Sequence, residues 1–358
     1  MKDAKVVRRC CVRSRAGAPL FPALFPALFP ALSPAFCLLV VAVAGCLFAH
    51  VGRAQEGVGW TGTRHGAAGK DLNTVYFSDG KRGWMAGDDG LVFRTEDGGR
   101  SWVRQFVGTN DQINDLYFRD KEDGYLIAGS AILITADGGR TWREARRFRP
   151  ADFAGGAPEL YSVRFASKKK GWIVGSVSRR EVVTDSLVLF TDDAGATWRP
   201  QLVPSRDELI HLDFAGERRG WIVGDKGTIL ATTDGGANWS RQRTGTNATL
   251  YHVDFDGDER GWAVGERGTI LRTMNGGETW TSVSVPGVQR TTLLSVRFAN
   301  DEQGWIVGRG GVILRTDDGG RTWVRQESGT KQNLYALFVN KKQNWAVGGD
   351  GMVLRYER

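Results

Sequence analysis

Seven copies of a short motif, Gly-Trp followed by two apolar residues and a glycine, recur along this chain with small variations. Successive copies start roughly 40 to 50 residues apart, which is the period of four-stranded propeller blades. A repeat of this size is one small sheet that cannot bury its faces alone, so neighbouring repeats must pack on each other. The copies begin at Gly83, Gly124, Gly171, Gly220, Gly261, Gly304 and Asn344.

The residues around each copy predict the other strands of the repeat. A segment of the form L-x-x-V-x-F precedes the motif, as in Leu209–Phe214, and a short apolar run such as Thr228–Leu230 follows it. These runs are short, rich in β-branched and aromatic residues, and separated by Gly and Asp. We call the three segments strands A, B and C. The sequence therefore predicts an all-β fold, a seven-bladed β-propeller of four-stranded antiparallel blades, with strand A innermost.

A second motif, T-x-D-x-G-x-T-W, lies between strand C and the outer strand D and corresponds to the Asp-box. A tight hairpin explains it, because the Asp side chain can accept backbone N–H groups and glycine tolerates positive φ. Since almost every repeat has one, we interpret these acids as structural and not catalytic. Their positions are Asp97, Asp137, Asp193, Asp234, Asn275, which replaces Asp in the fifth repeat, and Asp318.

The last repeat ends without an Asp-box or a strand D of its own. Trp60 precedes Leu72 by almost the same interval that separates Trp102 from Ile113. The residues around Trp60 therefore match a strand D that precedes the first repeat. We expect this N-terminal strand to close the ring against the C-terminal strands, which removes exposed sheet edges.

Residues 1–54 differ from the repeats and are predicted to be an export signal. They hold a basic start, a low-complexity FPALFPALFPAL tract and an apolar run over residues 36–49. About 20 apolar residues are needed to span a membrane, so this run favours a cleaved signal. Cleavage before Gln55 leaves one propeller domain, residues 55–358, in the periplasm or outside the cell. The alternative is a lipoprotein anchored at Cys46.

Setting residues 1–54 aside changes the chemistry of the chain. All four cysteines lie there, so the propeller has no disulfide, thiol nucleophile or cysteine metal site. The segment holds two Lys, five Arg and one Asp, a net charge of +6 of the total +8, which leaves +2 for residues 55–358. The basic character therefore belongs mainly to the signal. We expect no nucleic acid partner, no metal and no small-molecule cofactor.

The combination of the two motifs, repeated after a signal sequence, resembles the photosystem II stability and assembly factor family of BNR/sortilin-like propellers. The resemblance covers about residues 60–358. It implies a chaperone-like scaffold that binds a protein, since photosynthetic members help to assemble photosystem II by binding a precursor reaction-centre subunit. Similar chains occur in non-photosynthetic bacteria. We expect a monomer that binds a subunit of a membrane or envelope complex.

Two insertions interrupt the regular repeat where blades 2 and 3 meet. One separates Trp142 from Leu160 and the other separates Gly175 from Thr191. Both are predicted on the face that carries the B–C and D–A loops, and arginine with aromatic residues is enriched at protein interfaces. Two interpretations of these insertions are open, a partner-binding site and two solvated loops. Nucleic acid binding is a third, less favoured interpretation. The candidate partner-binding residues are Arg143, Arg146, Arg147, Phe148, Arg149, Phe153, Arg179 and Arg180.

The residues on either side of the central valine of strand A share one face and should line the central channel. His211 and His252 fall at equivalent positions of adjacent blades, with Asp213 and Asp254 nearby. A metal pair is conceivable, although two matching columns in similar repeats explain the pattern more simply. The predicted channel-lining residues are Arg164, His211, Asp213, His252, Asp254 and Arg297.

The enzyme alternative is a sialidase-like glycoside hydrolase, or else a carbohydrate-binding propeller, because Asp-boxes also mark that class. Such enzymes need a converging acidic pair or a Tyr nucleophile, and sialidases add an arginine cluster. Tyr161, Tyr251 and Tyr335 occupy one repeat position, which indicates packing. No G-x-S-x-G motif is present either. We therefore predict no catalytic residues and a non-enzymatic scaffold.

Overall fold

The computed structural model describes residues 59–357, which form short β-strands joined by tight turns. The predicted export segment, residues 1–54, and the alternative lipidation site Cys46 lie outside the described residues. Within residues 59–357, no helix has both the length and the apolar character needed to cross a membrane.

Seven antiparallel sheets of four strands follow one another around a ring, which confirms the predicted fold class. Strands A are Leu72–Phe77, Ile113–Phe118, Ala157–Phe165, Leu209–Ala215, Leu250–Asp256, Leu293–Phe298 and Leu334–Val339. Strands B are Gly83–Gly87, Gly124–Ala128, Gly171–Arg179, Arg219–Gly224, Arg260–Gly265, Gly304–Gly308 and Asn344–Gly348. Strands C are Val92–Thr95, Ala131–Thr135, Val182–Thr191, Ile229–Thr232, Ile270–Thr273, Ile313–Thr316 and Met352–Glu357. Strands D of blades 1 to 6 are Val103–Gln105, Arg143–Arg147, Arg199–Pro200, Ser240–Arg241, Thr281–Ser282 and Val324–Gln326.

Strand D of blade 7 comes from the start of the domain, as predicted. Gly59–Arg64 pairs antiparallel with Met352–Glu357, and Trp60 lies opposite Tyr356 in the ladder. The Trp60 indole donates a hydrogen bond of 3.0 Å to Gln326 of blade 6. The ring is therefore closed by joining the two ends of the described chain in one sheet.

Aromatic stacks hold neighbouring blades together. The fully buried Trp84 of blade 1 stacks on Phe118 of blade 2 at 4.1 Å between ring centroids. Trp142, from the Asp-box of blade 2, packs edge-on against Phe118 at 5.9 Å between ring centroids. The same three-ring arrangement recurs where Trp172, Phe214 and Trp239 meet. Offset and edge-to-face ring pairs stabilise beyond the area they bury.

The packing of these rings requires the glycine that begins strand B. A Cβ atom at Gly83 would lie 2.5 Å from the ring of Phe77, so a larger residue would displace this aromatic layer.

Each Asp-box turn is held by its own side chains. In blade 2, Asp137 accepts hydrogen bonds from the Thr135 hydroxyl and from the amide and hydroxyl of Thr141. The box carboxylates are thus saturated inside their own turns.

Candidate functional site

The propeller has two faces with different connections. On one, which we call the loop face, the B–C turns contact the D–A connections, as where the Gly90 amide donates to the Asp111 carbonyl at 3.0 Å. On the other, the box face, the A–B loops contact the Asp-box turns, as where the Gly98 amide donates to the Lys81 carbonyl at 2.8 Å. Side chains can therefore be assigned to a face from their position in the repeat.

The two insertions build one structure and not two independent loops. Both prolong blade 3, because strand A begins at Ala157 and pairs with the extended strand B through Ala157↔Ser178 and Pro158↔Val177. Strands B and C continue as a hairpin to Arg179 and Val182. Sequence reasoning missed this, because it treated the inserted residues as loops. Strands A, B and C of blade 3 therefore extend beyond those of the other blades on the loop face.

Two arginines lie at the tip of this extension. Arg179 and Arg180 are both exposed, and Arg180 and Glu181 form the turn with φ of 49° and 67°. Positive φ at both central residues is typical of tight two-residue hairpins, where Asn-Gly is preferred because other residues adopt it less easily. At the base of the hairpin, the Ser186 hydroxyl donates to the Asp207 carbonyl at 2.6 Å. The sheet therefore presents the arginines on an anchored hairpin.

The blade 2 segment corrects part of the predicted partner surface. Phe148 is only 4% exposed and belongs to the core beneath this junction, with Phe153 half-buried against it at 6.0 Å. The aromatic residues predicted as interface contacts therefore support the fold. Arg147 already has carboxylate partners, because its guanidinium forms ion pairs with Asp111 at 2.8 Å and with Glu144 at 2.7 Å.

The remaining arginines differ in their surroundings. Arg146 lies 3.4 Å from Asp152 and stacks over Phe148. In contrast, no carboxylate of residues 59–357 lies within ion-pair distance of four exposed arginines, Arg143, Arg149, Arg179 and Arg180. Arg143 begins strand D at its box end, whereas the other three lie toward the loop face. Among the predicted partner-binding residues, Arg149, Arg179 and Arg180 are therefore the exposed arginines toward the loop face that have no carboxylate partner within residues 59–357.

Sequence reasoning missed three exposed side chains of blade 3. Leu202 is 98% exposed and Val182 is 53% exposed. The Arg206 side chain is 87% exposed and lies 3.9 Å from Asp185 of the hairpin. An apolar residue two positions after the short strand D was the available signal for Leu202. Apolar and cationic side chains therefore both lie exposed on blade 3, as at protein interfaces.

The inner strands A of blades 2 and 3 are joined by a buried ion pair. The Arg164 guanidinium lies 2.7 Å from Asp115, and the same carboxylate accepts the Ser162 hydroxyl at 2.8 Å and the Val163 amide at 3.0 Å. Four hydrogen bonds reach Asp115 when the Leu116 amide is included. This carboxylate therefore connects two inner strands and neutralises a buried cation.

His211 and His252 lie stacked, with ring centroids 3.8 Å apart. Arg164 lies 3.0 Å from Nε2 of His211. Burial, the neighbouring His252 and the positive charge of Arg164 hold the pKa of His211 well below its usual value. Burial and the charges of Arg297 and Arg164 lower the pKa of His252 in the same way. Both rings are therefore neutral at pH 7.

Asp213 and Asp254 also connect adjacent inner strands. Asp213 accepts the Phe255 amide at 2.8 Å, and Asp254 accepts the Phe298 amide at 2.9 Å and pairs with Arg297 at 2.7 Å. Burial and the nearby Asp254 raise the pKa of Asp213 to about 6. Within residues 59–357, no group of three or more His, Cys, Asp or Glu side chains is arranged to hold a metal ion.

The titration of these channel groups predicts how stability depends on pH. A histidine whose folded pKa is depressed takes up protons mainly when unfolded, so stability falls as pH drops below 6.5. Asp213, with its raised pKa, acts oppositely between about pH 6 and pH 4. We expect a loss of about 2 kcal/mol between pH 6.5 and 5.5 from the two histidines together, before the opposing contribution of Asp213.

Urea unfolding at a series of pH values measures this dependence. Replacing His211 and His252 with Gln together should flatten the curve in that window, whereas Asp213→Asn should steepen it below pH 6. An unchanged pH profile in the double histidine variant would show that other groups control the acid sensitivity.

The comparisons with known proteins point to one family. The family model described as photosynthesis system II assembly factor YCF48 matches residues 105–204, 156–246, 193–290, 238–331 and 287–357. These overlapping matches together cover residues 105–357. Successive matches begin about one blade apart, as a repeated structure requires.

Individual relatives agree with this match. The photosystem II stability/assembly factor HCF136 of Arabidopsis thaliana is 30% identical over 107 residues, which cover 26% of this chain and 25% of that protein. The match thus spans about a quarter of that curated relative.

Solved structures show the fold of this chain. YCF48 bound to D1 peptide superposes with a TM-score of 0.68 at 20% identity, over 85% of this chain and 96% of that one. YCF48 from Cyanidioschyzon merolae has a TM-score of 0.66 at 20% identity, over 84% of this chain and 98% of that one. A virginiamycin B lyase from Staphylococcus aureus reaches 0.66 at 12% identity, over 83% and 98%. Because enzymes share the propeller, the fold alone does not decide the function.

Proposed function

The chain belongs to the family described as photosynthesis system II assembly factor YCF48, and from this premise we propose that it is a non-enzymatic scaffold that binds a protein partner. A solved propeller of similar fold is YCF48 bound to D1 peptide, which supports a peptide or protein as the partner here too. We propose that the partner is a subunit of a membrane or envelope complex and that the scaffold acts as a monomer.

The observation that carries this proposal is the prolonged sheet of blade 3. It raises Arg179 and Arg180 on the loop face, with no carboxylate of the described chain within ion-pair distance of either. Exposed Val182 and Leu202 belong to the same blade. Unpaired guanidinium groups bind carboxylates through two parallel hydrogen bonds, and they also steer an acidic partner toward the surface. We propose that this sheet, together with Arg149, is the partner-binding surface.

The channel supports a structural role and not hydrolysis. A glycosidase needs two acidic groups free to reach the scissile bond. Here Asp115, Asp213 and Asp254 each accept a backbone amide of the next inner strand. These carboxylates are therefore engaged in holding neighbouring inner strands together. This structural role favours the scaffold over the glycoside hydrolase.

Export is a further part of the proposal and depends on residues 1–54. We propose that the protein acts in the periplasm or outside the cell, released by cleavage before Gln55, with lipidation at Cys46 as the alternative. Mass spectrometry of the protein isolated from its host identifies the N-terminal residue. A chain that still begins at Met1 in the cytoplasmic fraction would contradict export.

Charge reversal tests the partner surface. Replacing Arg149, Arg179 and Arg180 with Glu should reduce capture of the partner from solubilised membranes by at least about tenfold, because each lost guanidinium contact is replaced by repulsion. The melting temperature should change little, since exposed loop charges contribute little to stability. Quantitative mass spectrometry of co-purified proteins, with added salt as a second variable, measures the effect.

The matched control reverses Lys168, Lys169 and Lys170, which are exposed in the A–B loop of the same blade on the box face. This variant should retain the partner. Loss of the partner in the lysine variant combined with its retention in the arginine variant would place the binding surface on the other face.

A further inference from the structure

A groove of about 700 Å³ lies on the outer wall of the propeller, where blade 5 meets blade 6. Arg272 of strand C in blade 5 and Arg321 of the Asp-box in blade 6 both line it. The groove also includes Met274, Asn275 and Thr279 from the Asp-box of blade 5. Its size is in the range of clefts that bind ligands. It belongs to different blades from the proposed partner surface.

In blades 1 and 6 the equivalent arginine is neutralised within its own turn. Arg94 of blade 1 pairs with Glu96 at 2.7 Å, and Arg315 of blade 6 pairs with Asp317 at 2.6 Å, each two positions along the chain. In blade 5 the residue two positions after Arg272 is Met274, which is 47% exposed. Blade 5 thus retains the arginine but has lost its carboxylate partner.

The Asp-box of blade 5 has lost a second carboxylate and reversed a hydrogen bond. In blade 6 the Thr322 hydroxyl donates to Asp318 at 2.6 Å. In blade 5, Oδ1 of Asn275 accepts the Thr279 amide at 3.0 Å, so its Nδ2 faces the Thr279 hydroxyl at 3.0 Å. Since Nδ2 is a donor, the Thr279 oxygen accepts, and its own hydrogen is free to donate elsewhere. The substitution removes a negative charge and releases a hydrogen-bond donor at the groove.

Two guanidinium groups therefore share the groove without a carboxylate partner. Arg272 donates from Nε to the Gly319 carbonyl at 3.0 Å, which leaves its terminal nitrogens available. Among residues 59–357, neither Arg272 nor Arg321 forms an ion pair. Burial and the positive charge of Arg321 lower the pKa of Arg272, which agrees with two cations near each other. The nearby Asp318 is saturated by its own turn.

We propose that this groove binds an extended acidic peptide segment, with a Glu or Asp carboxylate between Arg272 and Arg321. Strand D of blade 5, Thr281–Ser282, lines the groove and is the outermost strand of its sheet. An edge strand offers unpaired backbone groups to an added strand. The exposed Met274 supplies an apolar contact for an alternate side chain of the peptide. Charge, hydrogen-bond donors and a free sheet edge thus all match such a segment.

Fluorescence anisotropy tests the proposal with a short labelled peptide in which glutamate alternates with valine and threonine. The protein used in this test carries Glu in place of Arg149, Arg179 and Arg180, so that the proposed partner surface does not contribute to peptide binding. Replacing Arg272 and Arg321 with Gln should raise Kd by at least about tenfold, because charge-assisted hydrogen bonds are lost. Met274→Asp should weaken binding similarly, since it restores the ion pair present in blade 6.

The junction of blades 1 and 2 offers a matched control. Arg94 and Arg140 occupy the same two positions there, but Glu96 and Asp97 stand where blade 5 has Met274 and Asn275. Replacing Arg94 and Arg140 with Gln should leave peptide binding unchanged. Equal binding of the glutamine version of the peptide, or equal losses from both arginine pairs, would overturn the proposal. Inorganic phosphate that competes as strongly per molecule as the peptide would indicate a simple anion site and would overturn it too.

Discussion

Deletion of residues 59–64 is expected to destabilise the domain by about 3–5 kcal/mol, because it removes the strand that closes the ring. These residues form six cross-strand pairs with Met352–Glu357. Trp60 also lies 5.3 Å from the Tyr356 ring and bonds Gln326 of blade 6. Without them, Met352–Glu357 becomes an unpaired edge that other chains can extend. Both lower unfolding midpoints in urea and concentration-dependent aggregation should result.

Point substitutions separate the contribution of the indole from that of the strand. Trp60→Ala should lose a smaller part of the stability, because this side chain is only half-buried. Thr61→Ala, at an exposed position of the same strand, is the matched control. If the deletion variant unfolds at the same urea concentration as the intact chain, the strand does not close the ring.

Asp115→Ala should be the most destabilising single substitution in the channel, with a loss of about 3–5 kcal/mol. The side chain is 8% exposed and accepts four hydrogen bonds, including that from Arg164. Removing it leaves a guanidinium buried without its counter-charge, which costs more than the ion pair itself contributes. Urea unfolding of the variant measures the loss.

A second substitution distinguishes the buried charge from a simple loss of packing. Adding Arg164→Met to Asp115→Ala removes the unpaired cation and should recover part of the lost stability, as expected for residues in one network. Asp120→Ala, at an exposed position of the following loop, is the control. If the losses of unfolding free energy from the two substitutions simply add, other groups compensate the charge of Arg164 when Asp115 is absent.

The sequence predicted the architecture because its information is local. The Gly-Trp motif and the Asp-box each describe a hairpin, and hairpin geometry depends on residues close in the chain. The glycine at position 83 illustrates this, since its neighbour in space is Phe77 of the preceding strand. The spacing of Trp60 from Leu72 similarly indicated the closing strand.

The candidate sites were predicted less completely, because side-chain partners come from other blades. Phe148 has the composition of an interface residue, yet it packs against the core of blades 2 and 3. Arg147 pairs with Asp111, which is 36 residues away along the chain, and Arg164 pairs with Asp115, which is 49 residues away. No local pattern encodes these separations.

The sequence by itself determined the number of blades, the order of their strands and the closure of the ring, because repeated hairpin signals need only neighbouring residues. The tertiary structure decided which charges remain available. It joined the two insertions into one prolonged sheet under Arg179 and Arg180. It also placed Arg272 and Arg321, which come from adjacent blades, in one groove. Arg164 is neutralised by Asp115 of the neighbouring blade, and only the packing of the blades sets that contact.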